Sequence, residues 1–435
     1  MTNNNFQSTE PYKGVRDFYP EDMAIFRYIT EIMRATSESF GYEEYNASVL
    51  EPSELYRGKS GDEIVNEQTY TFKDRGDREV TLRPEMTPTV ARMVAAKRKQ
   101  IPLPVRWYSI PNLFRYEQPQ RGRLREHWQL NCDLFGGKDI EAEVEIISLA
   151  YELMRAYGLQ DKDFIIRINS RKIMNFIIND YLRLPDDIGR KIARIIDKKT
   201  KLSDDEFKKS VTEAIGEKDE ILLALLESKN FDEFVSHLPK NAELEDAIKE
   251  VKAVIESLEQ LGVTNAIFDQ TLMRGFDYYT GMVFEVFDTN PKNRRALFGG
   301  GRYDKLLESF GVESLPAVGF GMGDVTIRDV LEVRGLLPKY KNPACLAICI
   351  ADPIGIPYAN DLAQKVRRDG VNVIVDVTKR KLGDQIKSAD KNGIPYVVCI
   401  GEDEVKSGTL KVKKLASGIE TIIADEKLSA FVKEK

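Results

Sequence analysis

Residues 105–137, VRWYSIPNLFRYEQPQRGRLREHWQLNCDLFGG, carry the densest set of groups able to do chemistry. The pattern is strand, polar loop, strand. In the first strand Phe114 and Tyr116 share one face, and Arg115 and Glu117 the other. In the second, Trp128, Leu130, Cys132 and Leu134 oppose Gln129, Asn131 and Asp133. An antiparallel hairpin would turn the apolar face to a core and gather an arginine, two carboxylates and two carboxamides on the opposite face. Many antiparallel sheets are polar on a solvated side, so that plain reading stays open. Solvated faces favour Lys, Thr and Ser, however, rather than rigid or bidentate groups. The loop between the strands holds Arg121, Arg123 and Arg125 around Gly122. Guanidinium groups grip phosphates bidentately, so the turn suits an anionic ligand, with a solvated charge run as the alternative.

The chain has two histidines, His127 and His237. That excludes a histidine-rich metal site and disfavours a Ser-His-Asp triad, leaving carboxylates, arginines and bound metal. His127 lies within the second strand, where a structural role is the simpler expectation. Cys132, Cys345, Cys349 and Cys399 lack metal-ligand spacing and read as reduced thiols, which fits a reducing cytoplasm. No apolar run approaches the roughly 18 residues of a membrane helix. The opening MTNNNFQSTEPYKG has neither a signal nor a transit pattern, and the expected localisation is cytoplasmic. Net charge is −6, which argues for no particular partner, because local patches decide nucleic-acid binding.

These groups need elements to position them, and 435 residues imply two or three domains. Residues 21–40 and 140–157 show helical spacing and run into Gly41 and Gly158 as stops. About 170–260 is rich in Lys, Asp, Glu, Ile and Leu with helical periodicity and reads as a helical insertion. Residues 266–330 return to strands and glycine turns. Beyond a Lys-rich linker between Pro338 and Pro343, ACLAICIA, VNVIVDV, PYVVCIG and TLKVKKL alternate with helices at 359–369 and 381–392. That alternation predicts a small, mostly parallel α/β domain.

FRYEQPQRGRLREHWQLNCD (114–133) resembles the second signature motif of class II aminoacyl-tRNA synthetases, in the form used by histidyl-tRNA synthetases. Four more segments agree in order: GVRDFYPEDM (14–23), TLRPEMTPTVARM (81–93), MRGFDYYTGMVFEVF (273–287), and GGGRYDKLL (299–307) followed by PAVGFGMGD (316–324). The run GVNVIVDVTKRKLGDQIKSADKNGIPYVVCIGEDE is similar to the anticodon-binding domain shared by several class II synthetases.

The resemblance implies an α+β catalytic domain with an antiparallel sheet (1–165 and 263–335), a helical insertion (166–262), and a C-terminal α/β anticodon-binding domain (340–435). It implies a ligase that activates histidine with ATP and loads it onto histidine tRNA, working as a homodimer. Arg115 and Arg274 would be the catalytic cations on the α-phosphate. Arg115, Glu117, Arg123 and Gly323 would bind ATP, with Mg²⁺ bridging the outgoing phosphates and no metal site of the protein's own. Glu85, Thr87, Gln129, Asp133, Tyr278 and Tyr279 would hold histidine, although strand alternation puts Tyr279, Gly281 and Glu285 on one face and turns Tyr278 towards the core. Arg121, Arg123 and Arg125 would meet the tRNA acceptor end, including its extra 5′ guanosine, and Lys379, Arg380 and Lys381 the anticodon end. For these last three a solvated loop is the alternative. Glycines 299–301 would either admit substrate close to the backbone or make a tight turn.

The chain departs from the family pattern at three positions. The family commonly has Glu where Asp133 stands. Thr326 occupies the place of the third motif's arginine, which holds the ATP γ-phosphate, and Arg328 lies about 200° further around the helix. Ser48 replaces a proline of the first motif, which forms the dimer interface. The Thr326 departure keeps a rival in view, a non-catalytic paralogue serving as a regulatory subunit of histidine biosynthesis or a tRNA sensor.

Overall fold

Helix ends form where the sequence signals them. Pro20 opens α1 (Pro20–Ser39), Glu21 and Asp22 stand in its first turn at the positive end of the helix dipole, and Gly41 follows it at φ 78°. The structure is a computed structural model describing residues 7–57, 68–199, 202–273, 278–293 and 295–434. The chain divides into two compact units, Met1–Pro338 and Lys339–Lys435.

The strands of the first unit are β1 (Glu43–Glu44), β2 (Leu50–Pro52), β3 (Tyr70–Lys73), β4 (Glu79–Leu82), β5 (Val105–Ser109), β6 (Asn112–Phe114), β7 (Glu126–Phe135), β8 (Phe164–Ser170), β9 (Ala266–Phe268), β10 (Met282–Asp288), β11 (Ala296–Arg302) and β12 (Ala317–Gly323). One sheet has the order β1-β5-β7-β12-β11-β10-β8-β9, with β6 paired to β7 outside that order, and β2-β4-β3 form a small second sheet. The large sheet is antiparallel except at its edges, where β1 joins β5 and β8 joins β9 in parallel.

Both faces of the large sheet are covered. On one side α1, α3 (Glu141–Ala156) and α5 (Asp324–Val333) pack over Leu130, Cys132 and Leu134 of β7. The other side carries a second apolar cluster with Met86, Val90, Phe135, Tyr303 and Leu307, part of it from α2 (Thr87–Ala96). The polar face of β7 is therefore an interior face, not a solvated one. Residues 171–260, between β8 and β9, are mainly helical and end in α4 (Ala242–Gln260), which Asn241 caps by accepting from the Leu244 N–H. Ile173, Ile177, Leu225 and Val251 of this segment join the same apolar cluster as the sheet.

The expected hairpin forms, but its first strand differs in detail. β6 stops at Phe114 and buries Leu113, which pairs with His127, while Tyr116 is 50% exposed. Tyr116 needs no core because its ring lies 3.9 Å from the Arg125 guanidinium, a flat partner outside the apolar clusters.

The second unit holds β13 (Leu346–Ile350), β14 (Val373–Val375), β15 (Tyr396–Ile400), β16 (Thr409–Lys414) and β17 (Glu420–Ala424), with α6 (Ile356–Arg368) and α7 (Leu382–Lys391). Its order is β14-β13-β15-β16-β17. The expectation of a mostly parallel sheet is corrected here. β13 pairs in parallel with β14 and β15, but β15–β16 and β16–β17 are antiparallel. Gly418, at φ 69°, turns β16 straight back into β17, so no helix separates them. All four cysteines are free thiols. Among the described residues no helix is long and apolar enough to cross a membrane.

Candidate active site

Strands β7, β12 and β11 floor a cleft of about 280 Å³. Its depth depends on missing side chains. Gly319 pairs with Asp133 and Gly321 with Asn131 across β12 and β7. A Cβ at Gly319 would fall on the Asp133 carboxylate and stand 2.6 Å from the Cys132 carbonyl oxygen; one at Gly321 would fall on the Gln129 carboxamide. Gly299, Gly300 and Gly301 lie inside β11, so the tight-turn reading of these glycines is corrected. Gly299 lines the cleft, and Gly301 leaves room for Tyr279 and the Met282 carbonyl.

Asp133 lies on the same face of β7 as the cleft-lining Gln129 and Asn131, further along the strand, and is 3% exposed. One carboxylate oxygen accepts from the Tyr303 hydroxyl, and the other has no hydrogen-bond partner among the described residues. Burial pushes the Asp133 carboxyl up to about 7 against the opposing effect of that hydrogen bond. Tyr303 itself lines the cleft, with its ring edge-on to Phe135 and Tyr278. Sequence reasoning missed Tyr303. It lies in the GGGRYDKLL segment, but its link to Asp133 depends on strand register that no sequence pattern prints.

Glu85, Thr87, Gln129, Tyr278 and Tyr279 also line the cleft. Glu85 is 2% exposed and accepts from the Tyr278 hydroxyl at 3.2 Å. Gln129 donates to the Asn131 side chain at 2.6 Å. Strand alternation turned Tyr278 away from the site, and this is corrected. Tyr278 and Tyr279 precede β10, which starts at Met282, so both rings reach the cleft, with centroids 4.9 Å apart.

Arg115, Glu117, Arg123 and Gly323 stand along the same cleft. Arg115 is oriented by donating Nε–H to the Pro84 carbonyl at 2.9 Å. Arg123 lies 3.5 Å from Glu117, and Arg121 3.8 Å from Asp329. Arg125 does not project with them. It is 8% exposed and donates to the Glu117 carbonyl and the Tyr12 hydroxyl, so it braces the loop from within and the expectation of a tRNA contact is corrected. The loop is also strapped by the N-terminal segment: the Arg125 N–H donates to the Gly14 carbonyl, and Arg16 pairs at 2.7 Å with Asp324, which accepts from the Trp128 N–H. His127 lines the cleft, and burial, then Arg115 and Arg16, push its imidazole down to about 3, so it is neutral. Arg274 lies outside the described residues.

In the second unit Lys379, Arg380 and Lys381 are exposed at the turn into α7. Lys379 has φ 54°, and Arg380 donates to the Thr378 hydroxyl at 2.9 Å. Among the described residues no group of three His, Cys, Asp or Glu could hold a metal ion.

Carboxylates and carboxamides at the closed end, with arginines towards the mouth, suit a small polar ligand that continues into an anionic one. An antiparallel sheet bearing such a site is what the motifs' resemblance to class II synthetases implies. Residues 14–325 match the family described as histidyl-tRNA synthetase, and residues 346–435 the anticodon binding domain. A histidine–tRNA ligase of Leptospira biflexa is 42% identical, with 94% of each chain covered. One from Thermoplasma volcanium is 36% identical, with 98% of each covered. In fold the chain is similar to the crystal structure of a histidyl-tRNA synthetase from Nostoc sp. PCC 7120, with a TM-score of 0.81 at 23% identity over 98% of this chain and 99% of that one. The chain belongs to the histidyl-tRNA synthetase family.

Proposed function

We propose that the protein activates histidine with ATP to histidyl-adenylate and transfers it to the 3′ end of histidine tRNA. The observation that carries this reading is a single cleft with Glu85, Gln129 and Tyr278 near one another and Arg115 and Arg123 along the same walls. In the first step a histidine carboxylate oxygen attacks the α-phosphorus and the bond to pyrophosphate breaks. The nucleophile is already an anion and needs no base, which suits a site whose one histidine is neutral. Charge builds on the phosphoryl oxygens, so fixed cations contribute most. Arg115 is one, and Arg274 is assigned as the second. Mg²⁺ would enter with the ATP substrate and would neutralise charge on the departing pyrophosphate.

Glu85, with Thr87 and Gln129, takes the α-amino group. Asp133, Tyr278 and Tyr279 take the imidazole end. Glu117 and Gly323 contact the nucleotide. Arg121 and Arg123 face the tRNA acceptor end, and Lys379, Arg380 and Lys381 the anticodon end. Residues 1–165 and 263–335 act as the catalytic domain, 166–262 as the insertion and 340–435 as the anticodon-binding domain, in a cytoplasmic homodimer.

The test is ATP–pyrophosphate exchange with purified protein, each amino acid supplied separately and no tRNA. Exchange with histidine alone is expected. Folded protein that exchanges with none would end the enzyme reading and favour a binding-only paralogue.

A further inference from the structure

This inference rests on the adenylation reading and concerns the far end of the nucleotide. A bound triphosphate needs cations at its terminal phosphate as well as at the reacting one. Thr326 supplies none. Its hydroxyl donates to the Leu297 carbonyl at 2.8 Å and the Gly323 carbonyl at 3.1 Å. Nor can its helical neighbour take over, because Arg328 is paired with Asp22 at 2.8 Å. Arg16 is held by Asp324, Arg334 by Asp163 and Asp288, and Arg167 by Asp269.

The cleft opens past Thr326 into a larger space of about 960 Å³, and the two share Gly122, Arg123, Glu285, Ala296, Leu297 and Thr326. Arg295 lines this outer space. It is exposed, and its guanidinium donates to the Gln120 carboxamide oxygen at 2.8 Å, a neutral partner from the arginine loop. Among the described residues Arg295 pairs with no carboxylate, whereas Arg121 and Arg123 each stand within 4 Å of one. Its backbone is anchored. Arg295 immediately precedes Ala296, the first residue of β11, and the Leu297 carbonyl two residues on is the one that Thr326 holds. The space over Thr326 is also occupied. A Cβ at Gly122 would lie 3.8 Å from the Thr326 methyl group and from Asp329, in van der Waals contact, so the arginine loop lies against Thr326.

We propose that Arg295 supplies the cation for the terminal phosphate of ATP, and that Thr326 fixes the strand end that carries it. In histidine-dependent exchange, Arg295→Ala is expected to raise KM for ATP about 10-fold and leave KM for histidine within about twofold, with Arg295→Lys between. Lys292→Ala, an exposed cation on the same turn, is expected to stay near wild type. Calorimetric binding of ATP and of AMP separates contact from structure: Arg295→Ala should weaken ATP and leave AMP unchanged. Unchanged ATP binding in Arg295→Ala, or equal losses for ATP and AMP, would overturn the assignment. Wild-type protein that exchanges with no amino acid would end the adenylation reading, while the ATP-against-AMP comparison would still decide Arg295.

Discussion

The floor of the cleft and its mouth are built on opposite terms. At the floor, Asp133 and Gln129 occupy volume vacated by Gly319 and Gly321, and Asp133 is 3% exposed with Tyr303 on one oxygen. At the mouth, Arg121 and Arg123 are about half exposed, and their nearest carboxylates lie at 3.8 and 3.5 Å. Close packing leaves the floor no way to relax, so its errors should be large and insensitive to salt. Exposed, long ion pairs contribute little each, so the mouth should degrade gradually and respond to ionic strength.

The hardest test of this contrast is Gly319→Ala. The new methyl group meets the Asp133 carboxylate and the Cys132 backbone at once, and backbone cannot swing away. A displacement of about 1 Å at a site of this kind costs on the order of 100-fold. The expected result is a loss of 100-fold or more in kcat/KM for histidine, with stability lower by about 1–3 kcal/mol, measured by exchange kinetics and urea unfolding. Near-wild-type exchange would mean that the floor tolerates strain like a surface.

Removing one hydroxyl from the floor is a smaller change with a readable sign. Burial lifts the Asp133 carboxyl to about 7, while Tyr303 opposes that rise. The native state therefore binds more protons than the unfolded chain between about pH 4 and 7, and this group's contribution makes stability fall as pH rises through that window. Tyr303→Phe takes away the opposing hydrogen bond, so the fall should extend above pH 7 and KM for histidine should rise about 10-fold. Chemical denaturation of both proteins from pH 5 to 9 is the check. Identical pH profiles would show that the hydroxyl does not tune Asp133.

The same contrast explains which parts were legible in the sequence. Alternation along β7 separated Leu130, Cys132 and Leu134 from Gln129, Asn131 and Asp133, and the helix stops at Gly41 and Gly158 lie at the ends of α1 and α3. Those signals are local. Tyr303 on Asp133, Arg16 on Asp324 and Gly319 beside Asp133 join residues far apart in the chain through strand register, which a single sequence does not encode visibly. The misplacement of Tyr278 came from extending a strand's period into a turn, and that of Arg125 from counting charge without asking which side chains the loop folds inward. The parallel expectation for the second unit failed at β16, which returns antiparallel to β15 after only a six-residue helix (Glu402–Ser407), and again at β17, which follows a five-residue return.

At the mouth the corresponding experiment should give the smallest effect. Arg121 is 54% exposed and 3.8 Å from Asp329, so little free energy is tied up in holding it. Arg121→Ala should leave histidine-dependent exchange within about twofold. If it meets the tRNA backbone, its loss removes roughly one phosphate contact, so KM for histidine tRNA should rise about two- to fivefold at low salt and converge on wild type as salt increases. Aminoacylation measured at two ionic strengths decides it. A loss that persisted at high salt would place Arg121 in a desolvated contact, and the mouth would then resemble the floor.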